Sequence, residues 1–305
     1  MAESKGFEPL VPEGTADYQS AALSRAQPTL DRGLIEAALQ SQLPIILTDC
    51  QTFECRRRRV RVKVSRRANN MAKTSGRCVH CLRVTEEITD DHVFPHSWYP
   101  DTTPSTVQRW TVPCCRECNN RLSLLETDLL LRLSLCLDPA SEAASGLSWK
   151  ALRSLGLDAT NLSDREKEHR AKRKAKLKSE LLPHSEIAGK PGAIPGLSKQ
   201  EWVGQEDQFA VPIPWAALSI IAEKIARGCE YKLKNKYVDT PYAIRTTISD
   251  PDEVSPTFSS HRRLIDFGPG CQVLRVFAIE DPNVVRYRIL VWGALCMHTL
   301  IDTEE

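Results

Sequence analysis

Residues 78–120 contain three short motifs that decide the fold: Cys78-Val-His-Cys81, Asp90-Asp91-His92-Val93-Phe94-Pro95 and Cys115-Arg-Glu-Cys118-Asn119-Asn120. A Cys-x-x-Cys turn directs two thiolates at one ion, and two such turns complete the tetrahedral sulfur shell of a structural zinc site. We therefore predict that Zn²⁺ is bound by Cys78, Cys81, Cys115 and Cys118. Two alternatives stay open: Cys114 takes the place of Cys115, or the four cysteines are simply buried thiols.

The chain has eleven cysteines, and five of them fall between Cys78 and Cys118. A secreted disulfide framework spreads its cysteines along a short chain behind a signal peptide, so this clustering favours metal binding. The first residues lack the apolar core of a signal peptide, and no apolar run reaches the roughly 18–20 residues of a membrane span. We expect a cytoplasmic protein without a membrane partner. The cysteines outside the cluster are predicted to be buried thiols: Cys50, Cys55, Cys136, Cys229, Cys271 and Cys296.

The whole sequence predicts an α+β protein, with 41% hydrophobic and 26% charged residues and a net charge of +2. This charge neither requires nor excludes a nucleic-acid partner. We divide the chain into a poorly ordered tail (1–30), a helix and a basic strand (31–75), the motif region (76–140), a polar and basic helical linker (141–200) and a small α+β C-terminal domain (201–305).

Local patterns predict individual elements in the C-terminal half of the chain. The charged run from Asp164 to Glu180 has strong helix formers and hardly any apolar stripe, which indicates an exposed helix. The segment from Trp215 to Arg227 is predicted to be an amphipathic helix that Gly228 ends. The segment 241–260 is rich in turn residues, and two paired strands are expected at 272–280 and 286–300.

The order of the three motifs resembles the HNH endonuclease family, in the bacterial subgroup that has DHxxP, TVP and CNN signatures. The sequence Trp-Thr-Val-Pro before Cys114 and the later Lys224-Ile-Ala-Arg-Gly228 are similar to that subgroup as well. The resemblance implies a ββα-metal fold, with strands through residues 88–93 and 109–112 and a helix from about Arg116. In such a fold the zinc ion ties the first hairpin to the start of the helix and takes no part in the chemistry.

Hydrolysis of a phosphodiester needs a deprotonated water and a positive charge for the leaving oxygen. We predict that His92 accepts the proton, and that Asp91 and Asn119 hold one Mg²⁺ or Mn²⁺ ion. The family's middle Asn, which orients the histidine, is missing here, and Gln108 is our candidate for its role. Asn119 could instead only cap the helix.

The other histidines receive different predictions. His80 lies within the zinc turn and is not expected to be catalytic, whereas His96 could still contact phosphate. His298 lies on an apolar strand and is predicted to be a histidine of the core.

A basic strand-like segment precedes the motifs and could contact phosphates without sequence specificity, or could be a solvated face. Its candidate side chains are Arg58, Arg59, Arg61, Lys63, Arg66 and Arg67. A second basic stretch runs from Arg165 to Lys178.

We expect a metal-dependent endonuclease acting on double-stranded DNA. The alternatives are a zinc-knuckle module that binds nucleic acid or protein without cutting it, and a toxin or defence effector. Residues 201–305 could form a homo-oligomer or bind a partner protein.

Overall fold

The computed structural model describes residues 22–25, 75–138, 141–156, 162–183, 194, 196–197, 209–239, 242–253, 262–277, 281 and 284–303. The architecture is α+β, as predicted. Among the described residues, no helix is long and apolar enough to cross a bilayer.

The motif region folds as two short hairpins and a helix. Strands β2 (Gly76–Arg77) and β3 (Val84–Thr85) pair around the first Cys-x-x-Cys turn. Strands β4 (Ile88–His92) and β5 (Thr111–Cys115) are antiparallel, with His92 opposite Thr111 and Ile88 opposite Cys115. Helix α1 (Arg116–Ser134) begins directly after β5. The first strand and the helix therefore lie where they were predicted, and the second strand lies slightly later in the chain.

The segment predicted to be a polar linker packs against the rest of the protein. It contains helices α2 (Leu147–Ser154) and α3 (Asp164–Glu180) and strand β6 (Leu182–Pro183). Helix α3 is the exposed helix that its charged sequence predicts, and Ser163 and Glu166 cap its first turn reciprocally. Leu147, Ala151 and Leu177 are buried in the main core, so this part of 141–200 is not a free linker.

Strand β6 belongs to a three-stranded sheet with β7 (Phe209–Ile213) and β1 (Ala22–Arg25). Strand β1 lies within the segment predicted to be a poorly ordered tail. Its backbone pairs antiparallel with β7 from Ala22 opposite Ile213 to Arg25 opposite Ala210. The tail prediction missed this strand because pairing with a partner so distant in sequence leaves little local pattern.

Helix α4 (Trp215–Lys234) follows β7 and runs through Gly228, which was predicted to end it. The helix ends instead at Asn235, whose φ of 51° is the left-handed conformation of a C-cap. Gly228 serves close packing, because a Cβ atom built there would lie 2.8 Å from Cγ2 of Val93. The glycine thus brings α4 against the residue that follows His92.

The C-terminal part is a five-stranded antiparallel sheet in the order β8-β12-β11-β10-β9. The strands are β8 (Tyr242–Ser249), β9 (Arg262–Asp266), β10 (Gln272–Phe277), β11 (Val285–Val291) and β12 (Leu295–Thr303). The predicted strand 286–300 is thus a hairpin that turns at Trp292 and Gly293, which both have positive φ. The segment 241–260, predicted to be turn-rich, contains β8.

One hydrophobic core joins the motif region to the C-terminal sheet. Phe94 stacks on Phe267 with ring centroids 5.4 Å apart, and Phe267 meets Trp110 edge-on at 5.8 Å. Trp292 packs on Trp98, and its Nε1 donates a hydrogen bond to the Trp98 carbonyl at 2.7 Å. The sheet therefore holds in place the loop that follows β4.

Candidate metal centre and histidine site

Four cysteines form the candidate metal centre. The sulfur atoms of Cys78, Cys81, Cys115 and Cys118 all lie within 4.8 Å of one another. Leu82, with a φ of 64°, closes the first turn by donating its backbone N–H to the Cys78 carbonyl at 2.9 Å. The second pair lies at the end of β5 and in the first turn of α1, where the Cys118 N–H points at the Cys115 sulfur. Four thiolates are the donor set of structural zinc, so these residues could hold such an ion.

Cys114 is not a member of this cluster. It is fully buried, and its thiol donates to the Cys115 carbonyl at 3.3 Å. A hydrogen bond from Cys114 lowers the pKa of Cys78 and raises the pKa of Cys114 itself. This contact favours the thiolate form of Cys78, which metal binding requires. The geometry therefore favours Cys115 over Cys114 as the fourth cysteine of the candidate metal centre.

His92 is the last residue of β4 and is half-buried. Its ring lies beside that of His96, with centroids 4.9 Å apart. Arg109 donates from Nη1 to Nε2 of His96 at 3.0 Å, and its guanidinium lies 5.0 Å from the centre of the Tyr99 ring. We call His92, His96 and Arg109 the histidine cluster.

In the histidine cluster, two histidines with lowered pKa values lie beside the positive charge of Arg109. Burial lowers the pKa of His92, and two neighbours lower it further, because a charged His92 would be repelled by Lys224 and by His96 when the latter is protonated. Burial and the charge of Arg109 also lower the pKa of His96. At neutral pH both imidazoles are therefore uncharged, which is the form that can accept a proton from water.

Asp91 lies on the other face of β4, because successive side chains of a strand alternate. Its Oδ2 accepts from Nε2 of His80 at 2.9 Å, and its Oδ1 accepts from Nζ of Lys224 at 2.9 Å. Lys224 also donates to Glu126. The side chains of Lys224, Asp91 and Glu126 are only 1%, 8% and 12% exposed. We call His80, Asp91, Glu126 and Lys224 the buried ion network.

The buried ion network shifts its two carboxyl groups in opposite directions. Burial alone would raise the pKa of Asp91, but the hydrogen bond from His80 and the charge of Lys224 outweigh it, and the pKa is lowered. For Glu126, burial outweighs the attraction of Lys224 and the pKa is raised. Asp91 is therefore the more readily ionised of the two carboxyl groups that face Lys224.

These contacts disagree with the predicted divalent-ion site. Both carboxylate oxygens of Asp91 already have partners, and one partner is a buried ammonium group that a second cation would have to displace. Asn119 uses its amide N–H to bind Thr89 Oγ1 at 3.0 Å and the Asp90 carbonyl at 3.4 Å. Asn119 thus ties α1 to β4. The residues present do not fit Mg²⁺ or Mn²⁺ in the way that the sequence predicts.

A second group of possible ligands consists of His80, Asp91 and Cys114, which lie within 4.8 Å of one another. Nδ1 of His80 is buried and has no hydrogen-bond partner among the described residues. The ammonium group of Lys224 nevertheless places a positive charge on Asp91. Among the described residues, the four cysteines are therefore the better candidate for holding a metal ion.

Gln108 does not take the place predicted for it in this arrangement. It is exposed and lines a groove with Trp110 and residues 263–266. The next residue, Arg109, is the one that contacts His96. No local pattern in the sequence identifies Arg109, Lys224 or Glu126 as residues of this site. The motif around Lys224 was noticed, but its position beside Asp91 depends on packing between α4 and β4.

The remaining predicted contacts are only partly visible. Arg58, Arg59, Arg61, Lys63, Arg66 and Arg67 lie outside the described residues. The second basic stretch lies on α3, where Lys167 and Lys172 form ion pairs with Asp164 and Glu168. His298 is 6% exposed on β12 and accepts from Arg286 at 3.2 Å, which agrees with a structural role.

Comparison of the chain with protein-family models, with curated proteins and with solved structures finds no match.

Proposed function

We propose that the protein is an HNH-type endonuclease that hydrolyses phosphodiester bonds of DNA, with His92 as the general base. One observation carries the proposal: a half-buried histidine with a lowered pKa ends the first strand of a strand-strand-helix unit whose other end holds four clustered cysteines. This arrangement supports a ββα-metal module in which zinc would tie the turn after β2 to the start of α1.

In the proposed reaction, a water molecule loses a proton to the neutral imidazole of His92 and attacks the phosphorus atom. The bond between phosphorus and the leaving oxygen breaks, the leaving oxygen takes up a proton from solvent water, and negative charge develops on the phosphate oxygens in the transition state. Arg109 contacts His96 and Tyr99, and its guanidinium would neutralise that charge. His96 contacts the ring of His92 and the guanidinium of Arg109, and would orient both side chains.

No step of this mechanism uses a divalent ion at Asp91, because Lys224 and His80 occupy its carboxylate. The role expected for Mg²⁺ or Mn²⁺ is assigned to Arg109 instead. The chemistry of zinc in the four-cysteine cluster is structural, since a closed sulfur shell leaves no position for water or substrate.

The test is nicking of a supercoiled plasmid by the purified protein, with and without Mg²⁺ or Mn²⁺. We expect His92→Ala to lose about 10²–10⁴-fold in rate, which is the usual contribution of a general base. His169→Ala, an exposed histidine on α3, is the matched control and should cut like the wild type. Equal cutting by His92→Ala and the wild type would refute the role of His92.

The second candidate function is binding of nucleic acid without cleavage. The neutralisation of Asp91 by Lys224 favours it, because the residue expected to hold a catalytic ion is used for structure. A wild-type protein that binds plasmid but leaves it intact under all the metal conditions would support this function and exclude the first.

A further inference from the structure

The structure places a strand with two exposed arginines at the edge of the C-terminal sheet, next to the residues that flank Arg109 in the chain. Strand β9 is the outermost strand, and it pairs only with β10 among the described strands. Phe267, directly after β9, is fixed between Phe94 and Trp110. Trp110 in turn adjoins Arg109 and accepts a hydrogen bond from the Val93 N–H at 2.9 Å. The position of β9 relative to His92 is therefore set by packing.

Two open grooves meet at β9. The first, of about 210 Å³, is lined by Gln108, Trp110, Arg263, Leu264, Ile265 and Asp266. The second, of about 400 Å³, lies on the outer face of the sheet and is lined by Arg262, Leu264, Gln272, Leu274 and Arg288. Leu264 lines both grooves and is 59% exposed. The exposed edge of β9 thus forms one surface bordered by both grooves, with Arg262 and Arg263 on opposite faces of the strand. We call it the β9 surface.

The charge of the β9 surface is positive. Arg262 and Arg263 are exposed, and neither forms an ion pair within the part of the chain that the structure describes. Arg288 donates to the carbonyl of Pro251, a contact that leaves its charge unneutralised. The lining residues include one carboxylate, Asp266, which accepts from the Gly268 N–H at 2.8 Å.

We propose that the β9 surface binds the sugar–phosphate backbone of the DNA whose scissile bond lies at the histidine cluster. This inference rests on the proposed function. It adds that the DNA next to the reacting phosphate lies on the β9 surface. Guanidinium groups match phosphate oxygens in a bidentate geometry, and backbone contacts of this kind position a duplex without reading its sequence. The exposed Leu264 lies on the same face of β9 as Arg262 and adds apolar contact there.

The experiment uses the His92→Ala protein, so that the DNA stays intact, and a short fluorescein-labelled duplex of mixed sequence. Fluorescence anisotropy gives the dissociation constant over a series of salt concentrations. Each phosphate contact contributes about 0.9 to the slope of log affinity against log salt. We expect Arg262→Ala/Arg263→Ala to bind more weakly at low salt and to reduce this slope by up to about 1.8.

The matched control is Arg245→Ala. Arg245 lies on β8, in the same cross-strand row as Arg262 but at the opposite edge of the sheet, and it is 66% exposed and paired with Asp302. This variant should keep the affinity and slope of its parent. The two arginines of β9 could instead serve only to prevent edge-to-edge pairing with other chains. In that case the double variant binds DNA like the control, and the inference is overturned.

The outcomes also separate this inference from the proposed function. If the wild type nicks plasmid and the double variant keeps the full salt slope, the nuclease proposal stands and the β9 surface is refuted. If the wild type neither binds nor cuts DNA, both are refuted.

Discussion

Replacing Lys224 by methionine removes the cation of the buried ion network while keeping a side chain of similar length. Asp91 and Glu126 then remain buried without the ammonium group that contacts both. Breaking a buried ion pair by removing one partner costs about 3–5 kcal/mol. The Coulomb energy of one pair at about 4 Å, about 4 kcal/mol at an effective dielectric constant of about 20, agrees with this range. We expect Lys224→Met to lower the free energy of unfolding by about 3–5 kcal/mol.

The assay is unfolding by urea, followed by far-ultraviolet circular dichroism at neutral pH. Urea is preferred to guanidinium because the latter screens charges. Lys232→Met, an exposed substitution on the same helix, should change the free energy of unfolding by less than about 0.5 kcal/mol. Adding Glu126→Gln to Lys224→Met removes one of the two buried charges, so the double variant should recover part of the loss.

The stability deficit of Lys224→Met should depend on pH in a definite direction. In the wild type, the lowered pKa of Asp91 means that its contribution to stability is present above the ordinary pKa of about 3.9 and is lost as the pH falls through the folded value. In Lys224→Met the pKa of both carboxyl groups should be raised, so protonation relieves the defect. The deficit of the variant should therefore shrink between pH 7 and pH 5. A change in the free energy of unfolding below about 1 kcal/mol at pH 7 would refute the assigned role of Lys224.

Three further predictions concern zinc, pH and packing. Cys81→Ser should lose zinc, measured by metal analysis of the purified protein, whereas Cys114→Ser should keep it because Cys114 stands outside the cluster; equal zinc in both variants would contradict the four-cysteine site. The cleavage rate should rise with pH through the pKa of His92, which is lowered from 6.5, so activity should persist at pH 6; an acid limb centred above pH 6.5 would contradict the neutral base. Gly228→Ala should destabilise by about 1–3 kcal/mol, because the new methyl group lies 2.8 Å from Val93, and Val93→Ala should relieve it; an equal loss in the double variant would show that the clash is elsewhere.

The parts of the site that were predictable from the sequence are those with short-range causes. The two Cys-x-x-Cys turns fix the positions of their own thiols, and the structure brings all four sulfur atoms together. The exposed helix α3 follows from its charged composition and its N-cap at Ser163. The alternation of side chains in β4 also dictates that Asp91 and His92 face opposite ways, so the sequence already argues against one shared site for this pair.

The parts that were not predictable depend on contacts between distant segments. Lys224 and Asp91 are separated by 133 positions in the chain, and no local pattern joins them. Gly228 was assigned to a helix end because glycine is common there, but tertiary packing against Val93 explains it better. The family resemblance predicts an amide side chain near the histidine, for which Gln108 was the candidate. In the structure the guanidinium group of the next residue, Arg109, contacts His96 instead.

The shared core between the motif region and the C-terminal sheet limits how residues 76–140 can be transferred to another protein. Excised from the chain, this cassette would leave Phe94 without Phe267 and Trp98 without Trp292, and Asp91 would lose its ammonium partner. The donated fragment would present an apolar surface to water and a carboxylate without its counter-charge. Fusion designs should therefore carry α4 and the five-stranded sheet along with the motifs, and truncation from the C-terminus should abolish folding before it reaches any residue of the histidine cluster.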